Sequence, residues 1–207
     1  MSKYVLIGSA GCGSVIIELA FARAKANCTL EQIPYLEPGP ERDRLLELNP
    51  LGQVPTLILP DGNILTESAA IILHLADAFP DAGLAPSASD PHRPQFLRWL
   101  VYIIGAIYPV STFGDDPARW ALDEANQKKY RDSLEEYRLS LWKNVEEVAD
   151  EPWFLGENFS AIDLYLAVMR NWRPGLSIFN SHFPKLAAIA DNVGKEPVFA
   201  EILDRDF

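Results

Sequence analysis

The chain has 207 residues, 48% of them hydrophobic, enough to bury a core in one large or two small domains. Its 18 Lys and Arg stand against 29 Asp and Glu, a formal charge of −11 that repels a nucleic-acid duplex or an anionic membrane surface, so neither is expected as a partner. Two cysteines in so large and apolar a chain point to a reducing compartment, and no apolar run approaches the ~20 residues of a membrane span or the core of a signal segment. A cytoplasmic protein is the expectation.

Residues 4–7 read as a short apolar strand that stops at GSAGCGS, where three glycines in seven residues let the backbone approach a ligand closely. A helix follows, with Val15, Ile16, Leu19 and Ala20 at helical spacing and Ser14 where an N-cap would sit. Residues 28–33 read as a second strand and 41–48 as a short polar helix ending at Asn49-Pro50. In NPLGQVPTLILPDGNILTES, residues 49–68, a turn leads to Val54-Pro55. Two short strands joined by a DG turn follow, and Thr66-Glu67-Ser68 opens a helix. The order β-α-β-α-β-β-α predicts a thioredoxin-like domain with a mixed four-stranded sheet over residues 1–80.

A proline-rich linker is expected over residues 81–92, and an all-helical domain over 93–207, giving an α+β chain. The run FLRWLVYIIGAIYPV reads as a strongly apolar helix broken near Gly114-Asp115-Asp116-Pro117. Residues 122–149 form a long amphipathic helix, its charges a solvated face. In FSAID, Ser160 and Asp163 fit a capping box, and two shorter helices, 184–193 and 196–203, finish the chain.

A thioredoxin-like half carrying NPLGQVP and TES, joined to a helical half containing FSAID, closely resembles the cytosolic glutathione transferases over essentially the whole chain. The physical content of those motifs is separable from the name. An X-Pro bond is the ordinary site for a cis peptide, and a cis Val54-Pro55 would turn the backbone of Val54 toward an extended peptide. In the family that peptide is glutathione; the plain alternative is that Pro55 starts an edge strand. Glu67 offers a carboxylate to an α-ammonium, and Ser68 with the helix N–H groups offers donors to an α-carboxylate, although Thr66 could equally be a simple cap. The resemblance puts Gln53 against the central or glycyl part of the peptide. Relatives often carry a basic residue there, whereas this chain has Leu51 and Gln53.

Glutathione attacks as a thiolate, and its thiol near pKa 8.5 is only a few per cent ionised at pH 7; lowering that by two units takes roughly 2.7 kcal/mol. Ser9, Cys12 and Ser14 lie at or just before a helix N-terminus, whose dipole supports an anion and lowers the pKa of a thiol. Tyrosine-type members of the family carry their tyrosine near the end of the first strand, where this chain has Leu6 and Ile7, with Tyr4 too early. Ser14 or Ser9 donating to the glutathione sulfur implies conjugation to a hydrophobic electrophile. Cys12 facing that sulfur also allows a mixed disulfide and a thiol-disulfide reductase, without a CxxC partner. A non-catalytic glutathione-binding module is the third reading. Cys12 is otherwise a small buried residue, and Cys28, on a strand, belongs to the core.

Three scattered histidines form no metal set, His74 lying in a helix and His92 and His182 in loops. Trp99, Tyr102, Tyr108, Trp120 and Trp172 read mostly as core, and the resemblance implies that some residues of the fourth and sixth helices wall the electrophile pocket. A homodimer is expected on the same ground.

Overall fold

The computed structural model describes residues 3–207; the first two residues of the expected N-terminal domain lie outside them. Four strands, β1 (Tyr4–Gly8), β2 (Cys28–Gln32), β3 (Thr56–Ile58) and β4 (Ile64–Leu65), form one sheet in the order β2-β1-β3-β4. β1 pairs parallel with β2, Leu6 opposite Leu30, and antiparallel with β3, Leu6 opposite Leu57. That parallel pair needs a crossover, and α1 (Ser14–Ala24) supplies it. β3 and β4 form the hairpin that the DG turn requires, with Gly62 at φ +88° and the Asp61 carboxylate accepting from the Asn63 N–H. This is the thioredoxin-like N-terminal domain with a four-stranded mixed sheet, completed by α2 (Pro40–Leu48) and α3 (Ser68–Ala78).

The rest is helical. α4 (Arg93–Tyr102) runs through one wide turn, residues Ile103–Ile107, into α5 (Tyr108–Asp115). Pro109 lacks the N–H that a regular helix would need, and the wide turn just before it lets the helix continue. The continuous helix therefore spans 23 residues, Arg93–Asp115, and by length and composition could cross a membrane, contrary to the expectation that no run approached that size. Its apolar stripe, Phe96, Trp99, Leu100, Ile103, Ile107 and Val110, is spent on the core.

α6 (Glu124–Val148) follows, capped by Asp123, whose carboxylate accepts from the Asn126 N–H at 2.9 Å. Next come α7 (Ala161–Met169), α8 (Leu176–His182), α9 (Pro184–Val193) and α10 (Pro197–Asp206). α8 has no counterpart in the sequence reading, which put His182 in a loop; it is the last residue of that helix. Its seven residues, about two turns, are too few to show periodicity.

All nine residues of α7 are buried, so this helix is the spine of the helical half and packs on α1 and α9. Its start is the predicted capping box. Asp163 accepts from the N–H of Ser160 at 2.7 Å and of Phe154 at 2.8 Å, and burial pushes its carboxyl up to about 7. α1 in turn packs against α3, α7 and α10, joining the two halves through Ile16, Ile17 and Leu19. Trp120 departs from expectation: it is 50% exposed and stacks on Phe113 rather than entering the core.

Candidate functional site

The site begins where β1 stops. Gly8 carries no side chain because a Cβ there would lie 2.8 Å from that of Ser14, and Gly11 adopts φ +69°, a left-handed turn open chiefly to glycine. Helix α1 then starts at Ser14, with Gly13 rather than Ser14 as its N-cap residue. The Ser14 hydroxyl turns back instead, accepting from the Ser9 N–H and donating to the Ser9 carbonyl, both at 3.0 Å. It is 3% exposed and its one proton is committed to the loop.

Cys12 sits at the apex of that loop. Its side chain packs on a small cluster of Ile7, Leu45 and Val54, with Ile33 and Tyr35 beside it. The expected lowering of its thiol pKa does not occur. Burial raises it, the Tyr35 and Ser9 side chains oppose that, and the carboxylates of Asp115 and Asp206 add to the rise. Desolvation outweighs the helix N-terminus, because Cys12 is enclosed on one side by apolar residues. Tyr35 and Tyr108 are also raised, burial leading in both, and Cys12 is the next cause in each case. Ser9 and Tyr35 therefore flank the Cys12 thiol, and Tyr108 reaches Gly13 next to it. Cys28 lies elsewhere on β2, partly buried, its thiol pushed up to about 11 by burial.

The second wall comes from residues 49–68. The Val54-Pro55 bond is cis. The Gln53 carbonyl is held by the Asn49 amide at 3.0 Å and the Thr56 hydroxyl at 3.0 Å, leaving the Gln53 side chain exposed. Among the described residues, neither the N–H nor the carbonyl of Val54 takes a protein partner. Pro55 and the Val54 side chain are buried beneath that free edge. Arg42, on α2, donates to the Tyr35 carbonyl and lies against Gly52, next to Gln53. A cation is thus present beside Gln53, although neither residue 51 nor residue 53 supplies it.

Glu67 has φ +63° and ψ +108°, an uncommon geometry for a residue with a Cβ, and its side chain is exposed. It is the N-cap residue of α3, and neither its own side chain nor that of Thr66 caps the helix. The Thr66-cap alternative is therefore not the arrangement found. Ser68 is 7% exposed and accepts from the Tyr165 hydroxyl at 2.9 Å.

The helical half reaches over the loop at two further points. The Trp172 indole N–H donates to the Gly11 carbonyl at 2.8 Å, and the Tyr108 ring stacks edge-on against Trp172 with centroids 5.0 Å apart. The Tyr108 hydroxyl lies 2.0 Å from where a Cβ on Gly13 would be. Phe207 also lies close to Gly11. The structure thus places Ser9 and Val54 beside Cys12, buries Ser14 and Ser68, and leaves Gln53 and Glu67 exposed. Sequence reasoning did not assign Tyr35, Arg42 or Tyr165 to the site. No local pattern could have done so for Tyr165, whose partner is 97 residues away.

Residues 17–78 match the family model described as glutathione S-transferase, N-terminal domain. That match begins beyond the glycine-rich loop. The chain is 41% identical over 209 aligned residues to an uncharacterised GST-like protein, YncG, of Escherichia coli K12, covering 96% of each. It is 25% identical to the glutathione S-transferase GstA of Escherichia coli O157:H7, covering 95% of each. Among solved structures it resembles a glutathione transferase homologue from Sulfitobacter with bound glutathione, at TM-score 0.84 and 26% identity over 99% of each chain.

Proposed function

Since the chain belongs to the glutathione S-transferase family, we propose that it binds glutathione in this cleft and transfers its sulfur to a hydrophobic electrophile, with Cys12 against the thiolate. The observation that carries the choice of Cys12 is the state of the loop protons. Ser14 spends its proton on the Ser9 carbonyl, whereas Cys12 keeps an S–H at the apex of the loop, at the start of α1.

In this reading the free N–H and carbonyl of Val54 pair with the peptide backbone of glutathione, above Pro55. Glu67 meets the α-ammonium, and the N-terminal N–H groups of α3 with Ser68 meet the α-carboxylate. Gln53, with Arg42 beside it, meets the glycyl end, and Ser9 lines the sulfur. The glutathione thiol releases its proton to water, and the Cys12 S–H and the α1 N-terminus stabilise the resulting anion. The sulfur lone pair then forms the bond to the electrophilic carbon, and the displaced group leaves with its bonding electrons.

Cys12 as the nucleophile of a reductase is the second reading, and its raised pKa weighs against it, since that chemistry starts from the thiolate. Assays with an activated aryl halide and with a mixed disulfide on Cys12→Ala and Ser14→Ala separate the two. Conjugation is expected to fall about 10- to 100-fold in kcat/KM on loss of the thiol donor. Complete loss of disulfide reduction in Cys12→Ala, with conjugation untouched, favours the reductase. Glutathione binding without turnover of either substrate favours a non-catalytic module. A cytoplasmic homodimer belongs to the same proposal. Leu51 and Val101, 67% and 64% exposed, leave apolar surface for a partner, and sedimentation tests it.

A further inference from the structure

Two buried serines open helices, Ser14 on α1 and Ser68 on α3, and their protons are in opposite states. The Ser14 hydroxyl donates to the Ser9 carbonyl, so its proton is spent. The Ser68 hydroxyl accepts from Tyr165 at 2.9 Å and, among the described residues, donates to no protein group. A serine inside a helix can donate to the carbonyl four residues back, but the residue four before Ser68 is Ile64, on β4. Ser68 is thus an unspent donor in a residue only 7% exposed, and such a group is costly until a partner meets it.

The tyrosine that fills the acceptor side of Ser68 comes from the other half of the molecule. Tyr165 is 0% exposed on α7, whose nine residues are all buried, so close packing fixes its ring. Burial pushes the phenol pKa up, so the group stays protonated and donates throughout the physiological range. Occupying one lone pair of Oγ limits the directions open to the Ser68 proton, and each hydrogen bond in such a chain strengthens the next. The first-turn N–H groups of α3 stand at the same helix end, where no side chain caps them.

We propose that Tyr165 is a positioning residue for glutathione, holding the Ser68 hydroxyl so that its proton meets the α-carboxylate of the γ-glutamyl group beside those N–H groups. Fully buried, Tyr165 acts only through Ser68. The chain from Tyr165 through Ser68 to the carboxylate runs one way, each O–H donating to the next oxygen. It ends on a charged acceptor, where such bonds are strongest. A helix of the all-helical half thereby sets affinity at a site otherwise built by the thioredoxin-like half.

Because this role presupposes glutathione in the cleft, its test compares two ligands by calorimetry: glutathione, and 4-aminobutyryl-cysteinylglycine, the same peptide without that carboxylate. Tyr165→Phe keeps the buried ring, and binding of the truncated peptide reports whether the fold is intact. The wild type is expected to bind glutathione about 100-fold more tightly than the truncated peptide, and Tyr165→Phe to cut that preference about five- to ten-fold with the truncated peptide bound as before. In Ser68→Ala the preference falls at least as far, and adding Tyr165→Phe lowers it no further. Equal weakening of both ligands in Tyr165→Phe gives a merely structural role and overturns the proposal. So does a preference unchanged in Tyr165→Phe or in Ser68→Ala, or one that Tyr165→Phe still lowers in the Ser68→Ala background. Binding of both ligands alike by the wild type overturns the positioning role and leaves glutathione binding standing. Failure of the wild type to bind glutathione overturns both.

Discussion

The two segments that face the cleft are fastened in different ways. The loop from Gly8 to Ser14 closes on itself, Ser14 bonding Ser9 five residues away, and is then held in place by Trp172 and Tyr108 from the helical half. The start of α3 has no side-chain cap of its own, and its buried serine takes a hydrogen bond from Tyr165 on α7. The first is a locally determined shape that is externally positioned; the second depends on tertiary contact for its polar partner as well. A binding cleft whose floor comes from a sheet and whose clamps come from a helical spine is precise only when the two halves are seated on each other.

The sharpest way to break this comparison is Gly13→Ala. The new Cβ would collide with the Tyr108 hydroxyl, so the loop or the helical half must shift. A loss of about 2–3 kcal/mol in denaturant unfolding is expected, and Tyr108→Phe in the same chain should recover part of it. Full stability of the single variant would mean that the helical half is not seated on the loop.

Tyr165→Phe is the counterpart at α3. Tyr165 is fully buried, and removing its hydroxyl leaves Ser68 without its donor, for an expected cost of about 1–2 kcal/mol. Ser68→Ala in that background should then cost less than Ser68→Ala alone. Strict additivity of the two would deny that the pair is coupled.

The smallest effect is a titration. Because burial holds the Cys12 pKa above its ordinary value, the thiol stays protonated as pH rises through neutrality. Alkylation of Cys12, with Cys28→Ala removing the other thiol, should therefore accelerate only above pH 9. Asp115→Asn, which removes a nearby negative charge, should move that midpoint down by a fraction of a unit. A midpoint below 7 would favour Cys12 as a nucleophile over Cys12 as a donor.

Much of the scaffold was legible along the chain. The hairpin after Pro55 rests on a DG turn between apolar residues, the start of α7 on Ser160 and Asp163, and α9 on a proline at its first position and helical spacing after it. Each signal is confined to a few neighbouring residues. The same locality explains the misses. Ser14 looked like a cap because the residue type fits one, but a hydroxyl with Ser9 within reach bonds the loop instead. The pKa of Cys12 was read from its place before a helix, whereas apolar neighbours from β1, α2 and residue 54 set it.

What the sequence by itself determined about this protein is therefore a set of local geometries: the sheet and its hairpin, the capped spine helix, and a glycine-rich loop opening onto a helix. Turn chemistry and side-chain periodicity act over a few residues, which is why they can be read without coordinates. Only the tertiary structure decided which groups share the cleft. Tyr35 and Arg42 arrive from beyond β2, and Trp172 from 161 residues away. Burial and charge act through space, so the protonation of Cys12 belongs to the fold.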